Sequence, residues 1–254
     1  MFTVPCQKNE KLEKVVKAVQ TDVELNTLLQ CANVTAINRL QYSDHGPVHV
    51  KIVANVALEL LRRLVKEGLT PNVVKDHGLD GQDAEVIVVL GSLLHDIGMV
   101  VHRVDHDKNS AMIAFNVLDN VLGSYDKKTA TIIKAEVLHC VFSHEEEIRP
   151  LTVEAGIVTI ADALDMSEGR ARIPFDAGKV DIHSVSALAI SQVNIEKGKK
   201  KPVHIRVEMT NSAGIFQIDN LLKPRIDFSG LKDYIDVIAE VTGKEKNIVQ
   251  KIEL

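Results

Sequence analysis

The chain has 254 residues, 45% hydrophobic and 26% charged, which suits one main domain with a smaller appendage better than two equal domains. A formal charge of -5 argues against a protein that wraps nucleic acid, and with 4% aromatics and no Trp the core must be built from Leu, Ile, Val and Ala. Cys6, Cys31 and Cys140 lack metal-type spacing and read as thiols in a reducing compartment; with no secretory pattern and no apolar run near the ~20 residues of a membrane span, a cytoplasmic location is expected.

In chain order, Thr21 and Glu24 have capping-box spacing and open a helix with Leu25, Leu28, Leu29, Ala32 and Ala36 on one face. After Gly46-Pro47, the stretch His49 to Lys66 repeats apolar residues at 53, 56, 57, 60, 61 and 64, which predicts a long amphipathic helix ended by Gly68. Thr70-Pro71 reads as an N-cap and first helical position of a short helix. Gln82 to Ile97 is apolar nearly all round and predicts a central buried helix. Further helices are expected over Asn109 to Val121, Lys127 to Val141 and Val153 to Met166.

The character changes near Pro174, and a boundary is expected within Asp176 to Lys201. Beyond it, His183 to Val193 has a weaker helical pattern. His204 to Met209 alternates like a strand, with Gly214 to Asp219 as its hairpin partner. Leu231 to Val241 reads as helix and Ile248 to Leu254 as a last strand. The expected fold is therefore mainly α: a helical bundle over residues 1–180 and a small α/β subdomain over 181–254, with strands only after Lys200. So small a sheet is marginal alone, so docking on the 231–241 helix and a homodimer are expected.

The chemistry concentrates in the helical part, where His45, His49, His95, His102, His106, His139 and His144 lie mostly at the ends of apolar runs. His95-Asp96 closes the most apolar helix, where two polar side chains are costly unless paired or metal-bound. Asp162 has the same setting in an apolar stretch. A lone His-Asp pair is usually a hydrogen-bonded pair or a cap. Here His49, His95-Asp96 and Asp162 fall on separate helices, so that shared ligation would tie the bundle together. Asp96 has two oxygens and so can bridge two cations, and the mixed imidazole–carboxylate set suits Mn, Fe, Co, Ni, Zn or Mg.

The ordered set His49, His95-Asp96, Asp162, in the words HVKIVANVA, LLHDIG and VTIADALDMSEGRARIPF, resembles the signature of the HD superfamily of metal-dependent phosphohydrolases over roughly residues 44–175. The resemblance implies an all-helical bundle that hydrolyses phosphate esters, often of nucleotides, with the four matched residues as ligands. His106 is similar to a further ligand of dinuclear members. His139 falls where those members carry a His-His pair, but Cys140 follows it here, which leaves Cys140 or His144 as substitutes. His45, four residues before His49, is a candidate for a substrate phosphate, although Gly46-Pro47 interrupts a helical turn there. Met99 stands where several phosphodiesterases have Lys.

Arg170 and Arg172 follow the last ligand and are candidates to clamp phosphate oxygens; the plain alternative is a basic helix end. The expected mechanism is attack by a hydroxide bridging two ions held by His49, His95, Asp96, His106, His139 and Asp162. His144, His102 and water are all open as the leaving-group acid. Rival expectations are a mononuclear 5'-nucleotidase-like phosphatase and a non-catalytic, metal-stabilised binding or regulatory protein. The expected partner is a small phosphorylated substrate, nucleotide in chemistry, with RNA open and no membrane.

Overall fold

The structure is a computed structural model, and it describes residues 1–167, 182–242 and 251–253. Ahead of the expected elements comes α1 (Glu10–Thr21), which buries Leu12, Val15, Val16 and Val19. α2 (Val23–Asn33) follows at once. Its cap is Asp22, which accepts from Leu25 N, while Thr21 closes α1 and donates to the Lys17 carbonyl. The N-cap thus falls one residue later than expected and, with Leu25 at the third helical position, is a single cap bond and not a capping box.

α3 (Pro47–Lys66) opens with Pro at the first helical position and buries the expected apolar face. α4 (Asn72–His77) is short, and its free amides are satisfied from a distance. Glu154 accepts from Asn72 N at 3.1 Å and Val73 N at 2.9 Å. α5 (Gly81–Leu94) begins with a capping box between Asp80 and Asp83 and is buried from Val86 through Leu94. A 3-10 turn (Ile97–Val100), α6 (His106–Val121), α7 (Lys127–Phe142) and α8 (Val153–Leu164) complete the bundle. α5 is its centre, packed against α3, α7 and α8.

The C-terminal part departs from expectation in three places. α9 (Ile182–Leu188) ends early, and β1 (Ile190–Lys197) already begins before Lys200. Val203–Met209 is a strand, β2, as expected. Residues 214–219 are not its hairpin partner. They belong to a helical run made of Ser212–Gly214, Ile215–Gln217, Ile218–Leu222 and α10 (Lys223–Phe228). The segment read as helix, 231–241, instead holds β3 (Ile235–Val241), parallel to β2. Parallel neighbours need a long crossover, usually helical, and the 212–228 run supplies it. β4 (Lys251–Glu253) pairs antiparallel with β3, giving the order β1-β2-β3-β4.

This sheet is not a separate body. Ile190, Val203, Ile205, Val207, Met209, Leu222 and Ile226 join the same buried cluster as Leu58, Leu61 and Ile157 of the bundle. The buried residues of the sheet thus find apolar cover within the chain. Among the described residues no helix is long and apolar enough to cross a membrane.

Candidate metal centre

The apolar helices converge on one point. α5 delivers His95 and Asp96 there, 0% and 3% exposed, as its helical path ends. In the following turn Gly98 N donates to Ser110 Oγ at 2.7 Å, and a Cβ on Gly98 would overlap the His106 carbonyl oxygen. Only glycine allows that approach, and it sets the start of α6, with His106, against Asp96. His49 stands in the first turn of α3, where Asp44 accepts from Gly46 N and His49 N. Asp162 lies in the last turn of α8, and His144 just beyond α7.

Two groups of possible ligands result: His49, His95 and Asp162, and Asp96, His106 and His144. In the first, His49 Nε2 is 3.1 Å from His95 Nε2 and 3.2 Å from Asp162 Oδ1. In the second, His106 Nε2 is 3.1 Å from His144 Nε2. Asp96 joins them. Its Oδ2 lies 3.2 Å from His49 Nε2 and 3.1 Å from His95 Nε2, and its Oδ1 lies 3.2 Å from His106 Nε2.

The donor set fits divalent cations. His95 Nδ1 faces the Ser92 carbonyl at 2.8 Å and His144 Nδ1 the Val141 carbonyl at 2.6 Å. A carbonyl only accepts, so both rings carry their proton on Nδ1 and, when neutral, present a bare Nε2 inward. His49 Nδ1 is likewise held, at 2.6 Å from Asp165 Oδ2. Lone pairs and carboxylate oxygens that meet at about 3 Å call for positive charge between them.

Titration behaviour reports the same demand. Burial disfavours a charged His95, yet Asp96 and Asp162 overcome it and raise its pKa to about 10. Burial also opposes ionised Asp96 and Asp162. For Asp96 the surrounding histidines, and for Asp162 Arg225 with His49 and His95, hold the carboxyl well below its usual range. His144, buried and beside His95, is pushed down to about 3 and stays neutral.

Other sequence candidates fall outside the two groups. His139, within α7, has its Nε2 engaged by Leu151 N at 2.9 Å, whereas His144 Nε2 faces His106. Cys140 is buried with its Cβ against Gly91 of α5, where a packing role explains it. His102 is exposed and its Nδ1 accepts from Val104 N. His45 precedes α3, with its Nδ1 donating to the Ser43 carbonyl and its ring centroid 5.8 Å from that of His49. Arg170 and Arg172 lie outside the described residues.

Three neighbours escaped the sequence reading. Asp165 orients His49; its spacing of three from Asp162 is the one signal that marked it. Arg103 donates to Glu145 Oε1 at 2.8 Å and lies 2.6 Å from His106 Nδ1. Arg225, from α10, donates to Asp162 Oδ2 at 2.8 Å, and no sequence pattern links positions 63 residues apart.

Comparison with known proteins agrees with this geometry. The profile of the HD domain matches residues 48–167. Uncharacterized protein MJ1020 of Methanocaldococcus jannaschii is 45% identical over 91% of this chain and 89% of its own length. Ribonuclease Y of Opitutus terrae is 26% identical over 66% of this chain, a match that spans 30% of that enzyme. No solved structure matches. The chain belongs to the HD domain family, and with its paired His/Asp clusters it is a divalent-metal-dependent phosphohydrolase acting on phosphate esters.

Proposed function

We propose that the chain hydrolyses a phosphodiester of a nucleotide or of RNA at a dinuclear centre. In this reading His49, His95, Asp96 and Asp162 hold one ion, and Asp96, His106 and His144 hold the other. The observation that carries it is Asp96: its Oδ2 lies 3.2 Å from His49 Nε2 and 3.1 Å from His95 Nε2, and its Oδ1 lies 3.2 Å from His106 Nε2 and 3.8 Å from His144 Nε2. When bound, two divalent ions supply Lewis acidity, lowering the pKa of water and offsetting charge on the phosphate.

The chain's own groups do the rest. Asp165, the Ser92 carbonyl and the Val141 carbonyl fix three imidazoles, which keeps each ligand atom aimed inward. Arg103, with 40% of its side chain exposed, is a cation that would meet substrate phosphate, and His45 beside His49 is a further candidate for that contact. Arg170 and Arg172 retain that role from the sequence alone. His144 is assigned to the metal set, so the acid for the leaving group is sought elsewhere, with the exposed His102 as a candidate.

Two comparisons weigh against the rivals. A mononuclear nucleotidase does not need the second cluster, yet Asp96, His106 and His144 are all buried and convergent. The ribonuclease relative favours a diester over a monoester. The test is hydrolysis of bis-p-nitrophenyl phosphate, p-nitrophenyl phosphate, nucleoside monophosphates and a short RNA by metal-stripped chain, with Mn, Co, Ni or Mg restored. Metal-dependent cleavage of the diester or RNA above the monoesters supports the reading. Monoesterase activity alone contradicts it.

A further inference from the structure

Arg225 belongs to the C-terminal unit, but its head group lies in the bundle. Its Nη1 donates to Asp162 Oδ2 at 2.8 Å and lies 3.1 Å from the His144 carbonyl and 3.4 Å from the Thr159 carbonyl. It therefore touches a candidate ligand of one cluster and the backbone of a candidate ligand of the other. Its side chain is 13% exposed, so the ion pair is shielded from water. Bonds to a charged group in such a setting are stronger than surface pairs.

The docking is built into both helices. On α8, Gly156, Thr159 and Asp162 are three residues apart and share one face. A Cβ on Gly156 would overlap the Ser229 carbonyl oxygen, so the glycine admits the end of α10 against α8. Arg225 and Ser229 are four residues apart, one turn, and meet Asp162/Thr159 and Gly156 respectively. The Ser229 hydroxyl donates to the Ile226 carbonyl and accepts from Leu231 N, which locks the turn after α10. Ile226 is buried within the shared core.

We infer that Arg225 is a positioning residue of the metal centre: the C-terminal α/β unit completes the site by aiming Asp162 through its guanidinium. The inference rests on the dinuclear reading above. Asp162 directs Oδ1 toward His49 and His95, while Arg225 occupies Oδ2. Removal of the guanidinium takes the donor from Oδ2 and leaves the carboxylate freer to rotate away from the two histidines. The effect belongs chiefly to the first cluster, because the second is touched only through the His144 backbone.

The experiment titrates Mn²⁺ into metal-stripped wild type, Arg225→Met and Arg225→Lys by calorimetry, with thermal melts in chelator beside it. Arg225→Met preserves the apolar stem and removes the fork. It is expected to bind one ion about 10–100-fold more weakly, with the other ion changed less. Arg225→Lys restores a cation without paired donors and is expected to recover part, not all, of that loss. Wild-type affinity for both ions in Arg225→Met, whatever its melting temperature, overturns the inference. If Arg225→Met does not fold, Arg225→Lys decides alone, with unchanged affinity overturning the inference and a measurable loss supporting it. A wild-type chain that binds no ion defeats the metal-centre reading itself. Two ions bound with equal affinities by wild type and variant defeat only the role of Arg225.

Discussion

His106 Nε2 and His144 Nε2 face each other across 3.1 Å, although 38 residues separate them in the chain. We read this approach as favouring His144, just beyond α7, over His139, inside it, for the second cluster. His144→Ala is expected to empty the second site while the first remains filled. His139→Ala is expected to keep metal content at the wild-type level, because His139 caps Leu151 N and belongs to neither ligand group among the described residues. Metal per chain in the two variants checks this, and the reverse pattern would return His139 to the ligand set.

Asp165 holds His49 through a 2.6 Å bond to Nδ1. Its loss should leave the ligand atoms in place but free the ring to turn. Asp165→Asn is expected to weaken metal binding or activity about 10–100-fold. Competition against a fluorescent chelator measures the change, and wild-type affinity in the variant would deny Asp165 its orienting role.

Metal binding should release a proton from His95. Without an ion its pKa is raised to about 10, so at pH 8 the ring is charged, whereas a ligand must be neutral. His144 is pushed down to about 3 and is already neutral, and the Asp96 and Asp162 carboxyls are already ionised. Affinity should therefore rise with pH until about pH 10, with on the order of one proton released per chain from this residue. Calorimetry at pH 8 in buffers of different ionisation enthalpy reads the proton count; no buffer dependence would contradict the charged state of His95.

The bundle and most of its ligand cluster were legible because both follow from one-dimensional patterns. Helical periodicity located α3, α5, α6, α7 and α8 to within a few residues, and polar residues on apolar helical runs marked His49, His95, Asp96 and Asp162, while His106 came from the family resemblance. The choice between His139 and His144 was not legible, since it depends on where α7 ends and which way the chain leaves it. The C-terminal unit was misread where apolar density hid the period. In β3 the buried residues Ile235, Val237, Ala239 and Val241 alternate strictly, but Ile238 among them makes the segment look helical. The helical run after β2 carries Gly214 and a π turn, which a periodicity reading takes for a hairpin. Arg225 left no local trace, because its partner lies on a distant helix.

Glu154 shows how a residue far from the chemistry sustains the bundle. It is fully buried and satisfies Asn72 N and Val73 N at the start of α4, where Pro71 has no side-chain cap to offer. Glu154→Ala leaves those amides without their acceptor, at a cost of about 1–3 kcal/mol. Denaturant unfolding of the metal-stripped chain measures this, and an unchanged midpoint would show that α4 finds another cap.

The central claim is that Asp96 joins two metal sites, and the most direct measurement is metal per chain in wild type and Asp96→Ala. Both proteins are purified without chelator, reconstituted with Mn²⁺, freed of excess ion and assayed by elemental mass spectrometry. With one carboxylate oxygen serving each cluster, wild type is predicted to hold about two ions and Asp96→Ala to lose occupancy at both sites together with turnover. A wild-type chain without stoichiometric metal, or an Asp96→Ala chain that keeps both ions, would contradict the account.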